Sequence, residues 1–220
     1  MKVTCVIPTY NEAASLATLI NNLKEVVDQI IVVDDASVDN TLEILKPLPV
    51  DVLRHVVNRG QGAALKTGTM QALKSGADVI VHFDADGQFR IEDIARLVEP
   101  IKANKADVVF GSRFLDNTTV MPSFKKRIIM PLARLVNRWL FNIRLTDPQS
   151  GFRAFSRRAA MEIDWDQDRM AHCSEILVAA HRSGLALTEV PITVIYKDFG
   201  QRFSGGFKIL RDLFFAKMNN

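Results

Sequence analysis

The sequence predicts an α/β protein built on a mainly parallel, Rossmann-like sheet flanked by helices, with amphipathic helices toward the C-terminus. Short runs rich in Val and Ile recur along the first half, as expected of strands buried on both faces. Segments with apolar residues at helical spacing lie between them, and strand and helix signals alternate in the manner of βαβ units with right-handed crossovers. The 220 residues suit one domain with a single core, and 48% hydrophobic with 24% charged residues is ordinary for a folded chain. The domain is expected to span 1–220, with one half at about 1–112 and another at about 113–220.

The expected strands are Val3 to Pro8, Gln29 to Asp34, Val52 to Val57, Val79 to Asp84 and Val108 to Gly111. Helical spacing joins Leu16, Leu19, Ile20 and Leu23, then Leu42, Ile44 and Leu45. It recurs at Ala63, Ala64, Met70 and Leu73, and at Ile94, Leu97, Val98 and Ile101. Ser15, and Ser37 or Asp39, are candidate caps just beyond strand ends, the edge where open α/β sheets bind ligands. After Arg113 the pattern changes to a basic amphipathic stretch from Phe124 to Phe141 and a Gly/Pro/Asp turn. A helix near Ser174 to Arg182, a strand from Leu187 to Ile195 and a C-terminal helix follow.

Apolar runs such as Val79 to Phe83 fall far short of the roughly 20 residues that cross a bilayer, and the start of the chain lacks signal-peptide features. A cytoplasmic protein is therefore expected. Cys5 and Cys173 read as reduced, buried thiols. Through Phe110 there are 11 basic and 15 acidic residues, and beyond it 17 basic and 10 acidic. The acidic half suits a cation and the basic half an anionic partner such as a phosphate or a membrane surface, or else both are solvated faces. No nucleic-acid partner is expected.

Asp84, Asp86 and Gln88 stand in HFDADGQF directly after an apolar strand. Carboxylates two residues apart at a breaking strand end can turn toward one cation, and hard oxygen ligands suit Mg2+ or Mn2+ bridging a diphosphate. A solvated Asx turn is the alternative. Asp34 and Asp35 end the second strand, where an acid accepts from ribose hydroxyls or a base N–H, or caps the next helix. Tyr10, after the first strand, is placed to pack on a base. Glu12 either binds the edge of that base or serves as a first-turn helix acid. In Asn58 to Gly62 the glycines permit a tight turn, and a helix N-terminus offers N–H donors to an anion. Neither GxxxxGK[ST] nor GxGxxG after the first strand is present.

IPTYNE, VVDDAS, NRGQGAA, DADGQ, GSRF, TDPQSGFRAF and RFSGGFK together resemble, in that order, the family 2 glycosyltransferases with the GT-A fold. The likeness is strongest to the branch acting on dolichyl and polyprenyl phosphates. It implies a metal-dependent, inverting transfer of a hexose from a GDP-mannose or UDP-glucose type donor to a polyprenyl or dolichyl phosphate. Pro8, Tyr10, Glu12, Asp35 and Gly62 would serve the donor, with Asp84, Asp86 and Gln88 as metal and diphosphate residues. Asp86, Asp147 and Arg113 would be catalytic, Asp147 as a positioning acid or weak base. Arg113, Lys126, Arg127, Ser150, Arg202 and Lys208 would face the acceptor. Met130, Pro131 and Leu132 stand where the family has Ser, Arg and Gly, and Phe207 replaces a Ser in the tail.

A lipid acceptor implies a peripheral membrane surface, reached through Phe124, Ile128, Ile129, Leu132, Trp139, Phe207, Leu210 and Phe214. Those residues equally suit the core or an interface with a second copy or a membrane-anchoring partner. A nucleotidyltransferase would carry a Gly-rich, Lys-containing loop after the first strand, and IPTYNEAAS has none. A nucleotide-sugar binding protein without activity would have little use for DADGQ and TDPQSGFR.

Overall fold

The computed structural model describes residues 1–115 and 145–195. The stretch Phe124 to Phe141, the C-terminal helix, and Lys126, Arg127, Arg202 and Lys208 lie outside the described residues.

Seven strands form one sheet in the order β3-β2-β1-β4-β6-β5-β7. β1 (Val3–Thr9) is buried at every residue and lies parallel between β2 (Gln29–Asp34) and β4 (Val79–His82). β3 (Asp51–Arg54) extends the parallel set as the edge. Burial on both faces explains the unbroken apolar runs of β1, β2 and β4. Two of these elements stop earlier than their sequences predict. β3 ends before Val56 and Val57, which are exposed, and β4 ends at His82 so that Asp84 lies beyond the ladder.

β6 (Arg153–Ser156), which the sequence does not announce, runs antiparallel between β4 and β5 (Val108–Ser112). β7 (Leu187–Pro191) closes the other edge parallel to β5. It stops short of Ile195 because Pro191 ends the run, yet the chain beyond keeps one bridge between Val194 and Phe89.

Period-two alternation sends Val3, Cys5 and Ile7 into one apolar layer and Val6 into the other. The first layer is covered by α1 (Ala13–Leu23), α2 (Thr41–Leu45) and α4 (Asp93–Lys102). The second is covered by α3 (Gln61–Lys74), α5 (Arg157–Glu162) and α6 (His172–Arg182). α5 is also unannounced; Ser156 caps it by accepting from the Ala159 N–H. Ser15 is not the cap of α1 but lies inside it, where its hydroxyl donates to Ala85 O at 2.9 Å and ties α1 to the loop after β4. Neither Ser37 nor Asp39 is the N-cap of α2, which is Asn40; Asp39 stands just before it and accepts from the Thr41 N–H, and Ser37 accepts from the Asn11 N–H. β1, β2, β3 and β4 all point their C-terminal ends to one rim, and the loops there carry the polar motifs.

Candidate active site

The chain leaves β4 at His82, and the next residues turn sharply. Gln88 donates its N–H to Asp86 Oδ1 at 2.9 Å, so DADGQ folds as the Asx turn that the sequence allows while leaving Asp84 behind it. The Gln61 side-chain amide donates to Asp84 Oδ1 at 2.7 Å. A Cβ at Gly151 would sit 3.0 Å from Asp84 Oδ2, so a larger residue there would crowd that carboxylate. Phe83, Phe89 and Phe152 pack ring against ring at 4.9 to 5.9 Å beneath it.

Burial, and then the Asp86 charge, push the Asp84 pKa up to about 7. Burial first and Asp86 second also raise that of Glu12. Asp86 thus lies within electrostatic reach of Asp84 on its own loop and of Glu12 after β1. Among the described residues no Lys or Arg is ion-paired with any of the three.

The second-strand acids turn inward. Asp34 is fully buried and accepts from the Ser37 N–H at 3.1 Å, so it is the one that fits a turn-capping role. Asp35 accepts from the N–H groups of Arg59 and Gly60 at 3.0 and 2.6 Å, and His55 Nδ1 lies 2.7 Å from it. It holds the loop between β3 and α3 in place from within the fold. Pro8 is buried in β1, whereas Tyr10 is 46% exposed at the rim beside Asn11, whose side chain accepts from the Val38 N–H.

The glycines of that loop make room for protein. A Cβ at Gly62 would come within 2.2 Å of Gln167 O, and one at Gly60, with φ +111°, within 2.5 Å of Asp168 O. Asp168 O also accepts from the Ala63 N–H. Residues 167 and 168 thus occupy the start of α3 where the sequence suggested an anion.

Asp147 is fully buried, and the Arg113 guanidinium grips it with Nε to Oδ2 at 2.6 Å and Nη2 to Oδ1 at 2.7 Å. The Arg113 N–H adds a third bond at 3.2 Å. Ser150 is buried too, its hydroxyl donating to Phe152 O. Two predicted site residues from separate motifs, GSRF and TDPQSGFR, are thereby paired with one another.

A family model described as Glycosyl transferase family 2 matches residues 4–164. The chain belongs to glycosyl transferase family 2. A UDP-N-acetylglucosamine–dolichyl-phosphate N-acetylglucosaminyltransferase of Methanococcus voltae is 36% identical over 97% of this chain and 95% of its own length. The polyprenol monophosphomannose synthase of Mycolicibacterium smegmatis is 31% identical over 95% of this chain and 83% of its own length. Among solved structures, glucosyl-3-phosphoglycerate synthase from Mycobacterium tuberculosis, crystallised with Mn2+, UDP and glucosyl-3-phosphoglycerate, superposes with a TM-score of 0.73. It is 19% identical and covers 96% of this chain and 78% of that one, a likeness that shows the GT-A fold.

The glycosyltransferase carries residues at its site that sequence reasoning did not single out. Gln61 was legible only as part of NRGQGAA, though its amide holds Asp84. Arg153 is fully buried on β6, its Nη2 3.4 Å from His172 Nε2 and 3.2 Å from Cys173 Sγ. His172 donates from Nδ1 to Arg169 O, so its Nε2 is left as the acceptor facing the guanidinium. Burial, then Arg153, lower its pKa to about 4. Glu189 accepts from the backbone N–H groups of Thr146 and Asp147.

Proposed function

We propose that this glycosyltransferase moves a hexose from a nucleotide diphosphate sugar to a polyprenyl or dolichyl phosphate, with inversion, using Mg2+ or Mn2+. The observation that carries the reading is the pair Asp84 and Asp86 in the turn after β4, neither of them ion-paired with a basic side chain among the described residues. Among those residues no group of three or more His, Cys, Asp and Glu side chains is arranged to hold a metal. Two carboxylates with Gln88 still fit a hard cation that completes its shell with water and phosphate oxygens, as Mg2+ commonly does. Such a cation supplies charge neutralisation on the departing diphosphate.

The protein's own groups then have separate tasks. Gln61 fixes the Asp84 carboxylate, and Gly151 leaves room beside it. Tyr10 and Glu12 stand at the rim for the nucleoside, and Asp35 serves it indirectly by anchoring the loop of Arg59 and Gly60. A phosphomonoester has a second pKa of about 6, so a lipid phosphate brings an anionic oxygen and no strong base is needed. That agrees with an Asp147 whose two oxygens are both taken by Arg113. Asp147 aims Arg113, and Arg113 faces the acceptor phosphate. In this reading Lys126, Arg127, Arg202 and Lys208 also serve the acceptor phosphate, a substrate class that the names of the dolichyl-phosphate and polyprenol relatives support.

Thermal unfolding with GDP, UDP and their sugars tests the donor site, because a ligand of the folded state raises its apparent stability. One nucleoside diphosphate is expected to raise the midpoint with Mn2+ present and not with chelator, and Asp86→Ala is expected to abolish that increment. An equal increment in chelator would remove the metal from the reading.

A further inference from the structure

We infer that Glu189 is a positioning residue for the acceptor side of the site, acting through Asp147 and Arg113. The inference rests on the role proposed above for that pair. Glu189 is fixed in β7 opposite Phe110 of β5. From there its two oxygens divide over two successive amides, Oε2 accepting from the Thr146 N–H and Oε1 from the Asp147 N–H, each at 2.7 Å. A carboxylate takes both bonds with full charge assistance. Asp147, so held, grips Arg113 with both oxygens just past the end of β5. Carboxylate, amide pair, carboxylate and guanidinium alternate in sign from β7 to β5.

The same strand continues to the other half of the site. Beyond Pro191 the Ile192 N–H donates to Ser112 O, the Thr193 N–H to Asp93 Oδ2, and the Ile195 N–H to Gln88 O at 2.8 Å. Residues 189–195 thus strap the loop of Asp147 and the turn of Gln88 to one backbone. Glu189 is the point at which this strap bears on the loop of Asp147, and its loss releases that loop while the contacts at Gln88 stay.

Glu189→Gln is the informative change, being isosteric. The amide retains one acceptor and turns an NH2 toward the other N–H, so acceptor capacity is removed at constant volume. The full chain is assayed with Mg2+, a nucleotide sugar and polyprenyl phosphate in detergent, following both nucleoside diphosphate release and glycosyl lipid. Donor-binding sites are counted by calorimetric titration with the nucleoside diphosphate, so that turnover is expressed per folded site. The expected result is a roughly 10- to 100-fold fall in kcat per counted site, the scale of a misplaced active-site group. The dissociation constant of the nucleoside diphosphate should stay within about twofold, and Glu189→Asp should recover part of the loss. A residue that merely stabilises the fold would change the number of sites and leave kcat per site intact; that result overturns the inference. Should Glu189→Gln yield no binding sites, Glu189→Asp carries the same test, and full turnover per site again overturns it. A wild-type protein that releases nucleoside diphosphate without forming glycosyl lipid contradicts the lipid acceptor alone, and Glu189 is then judged on release.

Discussion

Single side chains at this site are held by backbone groups far away in sequence, and that decides both their chemistry and how well they can be foreseen. Asp84 and Asp86 could be singled out from DADGQ because a carboxylate pair after an apolar strand suits either a hard cation or an Asx turn, and the turn at Asp86 is what the fold shows. What Asp35 does could not, since its partners are the amides of Arg59 and Gly60, and any residue type would supply those. Glu189 is hidden for the same reason. His172 is legible only in space: Arg153 is its neighbour, and among the described residues no carboxylate is ion-paired with that guanidinium. Because the folded protein keeps His172 neutral, lowering its pKa from the usual 6.5 to about 4, the sign of its effect on stability follows. Above pH 6.5 both states carry the neutral ring and the contribution vanishes. Below it the unfolded chain takes up a proton that the folded chain refuses, so stability falls as the pH falls, by up to about 3 kcal/mol at pH 4 and about 2 by pH 5. Urea denaturation at pH 7 and pH 5 is expected to show a smaller loss for His172→Gln than for the wild type. Equal losses would mean that the imidazole is not held neutral.

Among the elements, the parallel strands were readable because burial on both faces writes an unbroken apolar run. β6 was not. It has four residues, and one of them is the buried Arg153, which breaks the hydrophobic signal where the strand passes between β4 and β5. The loop from β3 to α3 was read as an anion cradle because glycines before a helix permit one. The same glycines equally permit another chain segment to approach, and residues 167 and 168 do so. Gly62→Ala would drive a Cβ into Gln167 O at 2.2 Å. Overpacking of this kind costs about 2 kcal/mol, and in a chain of this size the unfolding midpoint is expected to drop by about 4–8 °C. Donor binding to the folded fraction should survive, since the loop contacts Asp84 through Gln61 rather than through Gly62. An unchanged midpoint by calorimetry would mean that the 167–168 segment does not rest on the loop.

The whole molecule divides its charge as its motifs do: the acidic first half builds the rim of β1 and β4, and the basic second half contributes Arg113 and the sequence beyond it. Among the described residues no helix is long and apolar enough to cross a membrane. The decisive experiment incubates the purified chain with Mg2+, undecaprenyl or dolichyl phosphate and radiolabelled nucleotide sugars, and counts label that moves into the organic phase. Label is expected to appear with one hexose donor, to vanish with chelator, and to fall at least about 100-fold for Asp86→Ala, as for other lost electrostatic contacts to a transition state. Label transferred undiminished in chelator, or no label in lipid from any donor while a soluble phosphate acceptor is glycosylated, would contradict it.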